Sequence, residues 1–491
     1  MLPRVNRCAP AIVALAVLAA GCGGTTKTAA PKKSTAPPPP TQHFRSRPGL
    51  KPPPVRILTA ARKTAPGYVF LAPKMKVLQA GPMILDNRGQ VVWFRPLDTH
   101  GVSDFRAQRY RGNPVLTWWR GRAPMGVGTG RYVIYDDTYR KIAEVRAGHG
   151  YAGDIHDFVI TRRNTALFPI YHQLPVDLSS VGGPKEGRIF DGIFQEVNIK
   201  TGRVLFEWHS WPAVGLDESY APAPKPPAEG KKAPPYDYFH INSVELERNG
   251  NYLISARNTH TVYEIDGKTG KILWRLGGKK SSFEMGAGTN FEWQHDARRQ
   301  ANGTITIFDN GAAPPIEKFS RILVVRANAQ TKRATLVRSY SHPKRLLAPF
   351  EGNAQFLSDG HVFVGWGAIP WATEFNAAGR VVFDFSFGKG LANITGANQD
   401  ADSYRVYRFV WHGHPRDRPI AVIRGKKVYV SWNGATEVAR WQVELDGNPA
   451  ATALKRGFET ALPIGSNPKH VVVVALSASG TELGRSKTLT P

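Results

Sequence analysis

The chain has 491 residues, among them 48 Gly, 38 Pro and 12 Trp, and carries a formal net charge of +27 from 65 basic and 38 acidic side chains. That length allows one large domain plus a smaller one, and abundant turn formers with few helix-forming runs favour an all-β chain. The basic side chains are scattered, with no basic helix and no nucleic-acid motif, so nucleic acid is not expected as a partner. Solvation of a large surface and attraction to small anions account for the charge.

Arg4 and Arg7 precede a short apolar stretch over 11–20, which Gly21 and Cys22 follow at once. This reads as an export signal, and the run is too short for a spanning helix. Residues 18–22, Leu-Ala-Ala-Gly-Cys, resemble the cleavage box of bacterial lipoproteins. The resemblance implies a signal peptide over 1–21 and lipidation of Cys22, so that the mature chain is exported and lipid-anchored to the outer face of the bacterial cell membrane. Cys8 is the only other cysteine, which leaves the mature chain no disulfide. Residues 22–65, rich in Thr, Lys and Pro with consecutive prolines at 37–40, read as an extended tether.

Beyond the tether, a strand, a turn and a returning strand with an aromatic recur at 83–94, 132–145, 194–208, 262–274, 322–339 and 372–385, with starts 49 to 68 residues apart. A second kind of hairpin precedes four of these strand pairs. It opens on His156, His240 or His295 and turns back within 7 to 10 residues, at Asn-Gly in two copies, and a fourth copy opens on Asn353. Two hairpins per unit at this spacing predict a six-bladed β-propeller over 66–403, with the His- or Asn-led hairpin innermost. From 404 to 491 the pattern changes to strands at 428–432, 438–445 and 470–476 between Gly, Asn and Pro turns, which predicts a small immunoglobulin- or fibronectin-like β-sandwich.

The residue opening each innermost strand lies at the channel mouth, so His156, His240, His295 and Asn353 converge from neighbouring units. Counting back from the turns sets Arg257 at the same end as His240, and Asn310 opposite His295 with Asp309 beside it. Asn242 shares a strand face with His240. A single strand histidine is usually structural; three at one repeat position mark a shared site. Three histidines suit zinc, but an arginine facing the same centre repels a cation, and no second-shell carboxylate can be assigned, although Asp157 and Asp296 follow two of the histidines. Neutral imidazoles with Arg and Asn suit an anion whose oxygens must be held, and no metal is expected. The other histidines, including His209 and His260, read as surface or packing residues.

The stretches 237–246, 253–259, 272–280, 291–298 and 306–312 resemble the bacterial arylsulfotransferase (arylsulfate sulfotransferase) family. That family is a six-bladed propeller, exported, that moves sulfuryl groups between phenols without a nucleotide donor. The resemblance implies that His240 and Asn242 are its His-x-Asn pair, Arg257 its active-site arginine, His295 its sulfated histidine and His156 the remaining funnel histidine. It implies a two-step transfer from a phenolic sulfate ester to a phenolic acceptor, with no cofactor. Phe239, Trp293 and Trp366 are the rings available to stack on substrate, with Asn310 and Asn353 beside them. The chain lacks the cysteine pair of some members, so it needs no oxidative maturation. Two readings of other classes compete: a tethered binding or scaffold propeller that turns nothing over, and a His-dependent metalloenzyme such as a propeller lyase. A quinone-cofactor dehydrogenase shares the shape but lacks its aromatic motif and calcium carboxylates here.

Overall fold

The computed structural model describes residues 41–491 apart from positions 100, 125, 227, 229, 230, 389–400, 466 and 467. The expected signal peptide, Cys22 and tether residues 22–40 lie outside the described residues. What is described is all-β, its helical content limited to short 3-10 turns at Ser179–Val181 and Leu216–Glu218. Among the described residues no helix is long and apolar enough to cross a membrane.

The strands form eight small sheets. In five of them four consecutive strands pair antiparallel in chain order, starting from Val102–Tyr110, Val159–Ile160, Ile241–Leu246, His295–Arg299 and Asn353–Phe356. The sixth sheet joins Tyr68–Leu71, Met83–Leu85 and Val91–Phe94 to Val406–Phe409, which pairs with Tyr68–Leu71. Each recurrent outer hairpin of the sequence supplies the third and fourth strands of one of these sheets. The inner strands touch in cyclic order: Val406–Phe409 contacts Val102–Tyr110, which contacts Val159–Ile160; the neighbouring Thr165–Pro175 contacts Ile241–Leu246, which contacts His295–Arg299, and the series returns through Asn353–Phe356 to Val406–Phe409. The ring is closed by chain from both ends, since the first sheet takes its innermost strand from 406–409 and its other three from 68–94.

Both ends of the chain depart from the expected boundaries. Val406–Phe409 belongs to the first sheet and not to a C-terminal module starting at 404. At the other end, Val55–Thr59 adds an antiparallel fifth strand to the outer edge of Val381–Phe387, and Phe44 is buried against Phe458 at 4.3 Å. The stretch from 41 to 65 is therefore packed, not extended. The remaining sheets, of three and four strands between Ile420 and Arg485, share one apolar core built on Val428, Val430, Trp441, Val443 and Val473.

A two-residue Asn-Gly hairpin turn requires positive φ at both residues, and the turns here do not take that form. At 247–250 only Gly250 is left-handed (φ 94°); its N–H donates to the Glu247 carbonyl, and the Asn249 side chain accepts from the Asn251 N–H at 2.9 Å. The 300–303 turn repeats this, with Gly303 at φ 82°. Each is a type I turn ended by a left-handed glycine, which adds one residue to the loop.

Candidate active site

The loops that enter the first strands bring the three histidines to one mouth of the ring. The rings of His156 and His240 meet edge to face at 4.8 Å, and Tyr171 lies 5.5 and 5.6 Å from them. Tyr404 lies 5.4 Å from His156 and 6.3 Å from His295, its hydroxyl buried without a partner among the described residues. His156 and His295 are almost fully buried. The chain is bent to present these groups: His240, Trp293, Asp296, Asp104 and Glu351 are all left-handed, with φ between 53° and 64°. Such conformations cost on the order of 1–3 kcal/mol each and persist where the surroundings over-determine them. Bulges follow at once in the first strands, between Ser103 and Arg106, Ile241 and Ser243, and His295 and Arg298. Each re-aims the next side chain.

The three imidazoles have different partners. His156 Nδ1 bonds the Asp154 carboxylate, which also accepts the His156 backbone N–H at 2.9 Å. His240 Nδ1 lies 2.5 Å from Asp237 Oδ2. His295 Nδ1 instead faces an amide, 2.7 Å from Asn310 Oδ1. Asn310 Nδ2 donates to the carbonyls of Ala348 and Glu351, both at 3.0 Å. Its oxygen is thereby turned to His295, so Nδ1 must carry the proton and Nε2 keeps a lone pair. The Glu351 backbone N–H approaches that Nε2 at 3.3 Å. Burial, with Arg257 acting in the same direction, pushes the His295 pKa well below 6.5, so the ring is neutral. Burial also lowers His240, although Asp237 opposes it.

Arg257 hydrogen-bonds through its backbone N–H to the His240 carbonyl at 2.8 Å. Its guanidinium lies 4.7 Å over the Trp293 ring and donates to Asn258 Oδ1 (2.8 Å) and the Ala313 carbonyl (3.2 Å). Asn242 donates to the Gln294 carbonyl at 2.7 Å, anchoring the segment that carries His295, and its Oδ1 has no partner among the described residues. Among those residues, the group of His, Cys, Asp or Glu whose ligand atoms lie within 4.8 Å of one another is Glu292, Asp309 and Glu317. The three imidazoles do not converge as a metal set.

Below the histidines the centre of the ring is filled. Arg405, wholly buried, lies 2.7 Å from Asp157, 3.4 Å from Asp104 and 3.5 Å from Asp296. Arg106 bonds Asp104 (2.7 Å) and Asp157 (2.5 Å), and Arg298 bonds Asp157 (2.8 Å) and Asp296 (2.9 Å). Burial alone raises the Asp157 pKa, but Arg298, Arg405 and Arg106 together hold it far below the usual carboxylate range. Beyond this plug a cavity of about 490 Å³ takes residues from all the first strands, among them Arg109, Ile160, Glu245, Arg299, Gln355 and Phe409.

Several expected contacts are corrected. Asp157 and Asp296 serve the plug, and the carboxylates behind histidines are Asp154 and Asp237, which precede them in the entering loops. Phe239 is wholly buried between sheets, 5.5 Å from Tyr263 and 5.9 Å from Trp208, because the neighbour of an inward residue faces the other way. Trp366 is wholly buried, its Nε1 donating to Thr373 Oγ1 at 2.9 Å. Asn353 spends its amide on the Val406 backbone, at 3.0 and 2.9 Å, and clasps the ring closed. Trp293 supports Arg257. The residue across from His295 is Phe308, displaced by the bulge at Asp296, yet the Asn310 side chain still reaches the ring. Asp309 turns away, to Arg321 at 2.9 Å. His260 is a packing residue as expected, stacked on Tyr220 at 4.0 Å. Tyr171, Tyr404 and Glu351 went unread, since no periodicity singles them out.

Among curated proteins no relative matches the chain. Of the solved structures it resembles, a protein of unknown function from Bacteroides caccae is 13% identical, covers 70% of this chain and 98% of its own, and gives a TM-score of 0.39. A virginiamycin B lyase from Staphylococcus aureus is 7% identical over 77% of this chain and 94% of its own, with a TM-score of 0.33. A protein from Lactobacillus plantarum is 11% identical over 85% and 94%, with a TM-score of 0.35. At these scores the likenesses bear on nothing further. The family model described as Arylsulfotransferase (ASST) matches residues 106–388, more than half of the chain, and takes in the loops that carry all three histidines and Arg257. The chain belongs to the arylsulfotransferase family.

Proposed function

We propose that this protein transfers a sulfuryl group from a phenolic sulfate ester to a second phenol, with His295 as the nucleophile. The family supports aryl sulfotransferase activity in general. The observation that carries the mechanism is the Asn310 clamp, which leaves a neutral His295 with its lone pair on Nε2. Nε2 attacks sulfur, the sulfur–oxygen bond to the aryl group breaks, and the phenolate leaves with the electron pair. His156 or His240, each hydrogen-bonded through Nδ1 to a carboxylate, supplies the proton and later takes one from the acceptor phenol. The acceptor oxygen then attacks sulfur, the N–S bond breaks, and its pair returns to Nε2. Arg257 is placed to hold sulfuryl oxygens as charge moves, and the Glu351 N–H, which donates to Nε2 in the free protein, gives up that lone pair as Nε2 turns to sulfur.

The ring of six sheets, each of four or five strands, is read as a six-bladed propeller from 66 to about 409, and the last two sheets as an immunoglobulin-like sandwich. Export and a lipid anchor at Cys22 on the outer face of the membrane complete the proposal. Intact mass after mixing with 4-nitrophenyl sulfate tests the mechanism: the chain should gain one sulfuryl group, located on His295. His295→Asn should abolish both label and turnover, whereas His156→Asn should keep some label, an acid or base contributing about 10²–10⁴-fold. Fast transfer with no labelled histidine overturns the two-step scheme; a label retained in His295→Asn overturns the choice of nucleophile.

A further inference from the structure

The two ends of the ring differ in charge. Strands run antiparallel in chain order from the histidines, so the links from first to second and from third to fourth strand lie at the far end. Three sheets, those starting at Val159–Ile160, Ile241–Leu246 and His295–Arg299, show the contrast most clearly. Their six far links, at 161–164, 199–203, 247–251, 266–271, 300–304 and 329–332, carry eight basic and two acidic side chains. The links that enter these sheets or turn within them at the histidine end are 146–158, 176–187, 210–240, 257–260, 278–294 and 310–320. Although longer, they carry nine basic and ten acidic side chains among the described residues. The chain's excess of positive charge is therefore concentrated opposite the histidines.

The far-end cations are also free. All eight are exposed, and among the described residues Arg163 alone has a carboxylate within 4.0 Å, Glu196 at 3.3 Å. The acids beside them are occupied by the protein's own donors. Glu247 is held by the Arg299 guanidinium at 2.6 Å, and Glu245 accepts the Arg299 N–H at 2.9 Å. Glu264 accepts from the amides of Asn249 and Asn251 at 3.0 and 2.6 Å, and Asp266 from the N–H groups of Lys268 and Thr269 at 3.1 and 2.7 Å. Arg203, Arg248, Lys268 and Lys332 thus present one sign of charge over a broad face, which draws an extended anion.

Two observations favour a lipid surface as that anion. Leu205 and Leu273, each the second residue of the last strand of its sheet, stay 42% and 48% exposed just after Arg203 and Lys271. Apolar side chains among unpaired cations suit the boundary between headgroups and acyl chains, where each Lys or Arg adds to the attraction. The N-terminal segment also joins the ring at this end: Gln42 bonds the Gly89 carbonyl at 3.0 Å and the Val91 N–H at 3.1 Å, at the far link of the first sheet. The C-terminal sheets leave the face open. Their hydrogen bonds to the ring go to Val92, Phe94 and Tyr139, in the first two sheets.

We propose that the far-end turns of these three sheets dock on an anionic phospholipid surface and hold the histidine mouth turned away from it. The proposal stands apart from the transfer reading, because vesicle binding needs no turnover.

Sedimentation with vesicles tests it, using the full chain carrying Cys22→Ala so that no lipid is attached. At about 0.1 M salt, binding to phosphatidylcholine vesicles containing roughly 30% phosphatidylglycerol should be at least tenfold tighter than to phosphatidylcholine alone. The combined variant Arg203→Glu, Arg248→Glu, Lys268→Glu and Lys332→Glu should lose that preference. Lys185→Glu, Lys225→Glu, Lys231→Glu and Lys318→Glu together make the same change of charge at the histidine end and should bind like the parent chain. Unchanged near-ultraviolet circular dichroism certifies the fold of both. No preference for phosphatidylglycerol overturns the proposal. Equal loss in the two variants does so too, since it assigns the attraction to the charge of the whole chain. Tighter binding to duplex DNA than to the vesicles overturns it in favour of a soluble polyanion.

Discussion

Asn310 faces His295 with its oxygen, 2.7 Å from Nδ1, and it does so because its nitrogen is committed to two backbone carbonyls. Replacing Asn310 by Asp puts a carboxylate behind the ring and removes both donors. The carboxylate favours the imidazolium, so the His295 pKa, now pushed well below 6.5, should rise. In the wild type, sulfuryl labelling should hold steady as pH falls through 6.5; in Asn310→Asp it should decline on the acid side with a higher midpoint. The rate of mass gain between about pH 5 and 8 measures this. An unmoved midpoint rejects the clamp as the source of the lone pair.

Arg257 lies over Trp293 and makes forked use of its guanidinium. Arg257→Ala should lower turnover by about 10²–10³-fold, the loss typical of one preorganised donor at a developing oxyanion. Arg257→Lys should restore only part, because a point charge neither forks nor stacks as a plane does. Steady-state kinetics with 4-nitrophenyl sulfate and phenol separates the cases, and full activity in the lysine variant relegates this arginine to packing.

His260 is buried and held at a pKa of about 3 by burial, with Arg257 and Lys279 adding to the effect. Its folded pKa lies below the unfolded value of 6.5, so the unfolded chain binds the proton first and stability is lost as pH falls below 6.5. At pH 5 that share is about 2 kcal/mol, from 1.36 kcal/mol per unit. His260→Gln loses the stacking on Tyr220 at every pH but should gain about this amount relative to wild type between pH 7 and 5. Urea denaturation at both values reads the difference; an identical pH response in the two proteins refutes it.

Arg405 is wholly buried among three aspartates. Arg405→Met removes a cation while the carboxylates stay, a change that should cost about 3–5 kcal/mol. Arg485, exposed at the far end of the chain with Glu482 and Glu444, should show no measurable change when replaced by Ala. Comparing denaturation midpoints of the two variants checks the contrast.

Cys22→Ala should leave the chain unprocessed or release it from membranes. Fractionation and palmitate labelling unchanged by the substitution end the anchor proposal.

The hairpins and the convergence of His156, His240 and His295 were legible because strand alternation and turn chemistry repeat along the chain. What repetition does not encode was not legible. Asp154 and Asp237 sit in irregular loops, where no period says which way a side chain points. The bulges shift register by a residue, which moved Phe308 into the place expected for Asn310. Phe239 and Trp366 were misjudged because nearness in sequence to an inward residue says nothing of face. Val406–Phe409 pairs with Tyr68–Leu71 across more than three hundred residues, a contact that no local pattern announces.

Among the described residues, the plug of arginines and aspartates fills the centre of the ring behind the histidines. A polymer cannot be threaded past them, and the spent phenol has to go out by the route the next phenol takes in. In the proposed transfer, donor and acceptor then alternate at one station, and ping-pong kinetics are expected: parallel double-reciprocal lines, with each phenol competing against the sulfate ester at high concentration.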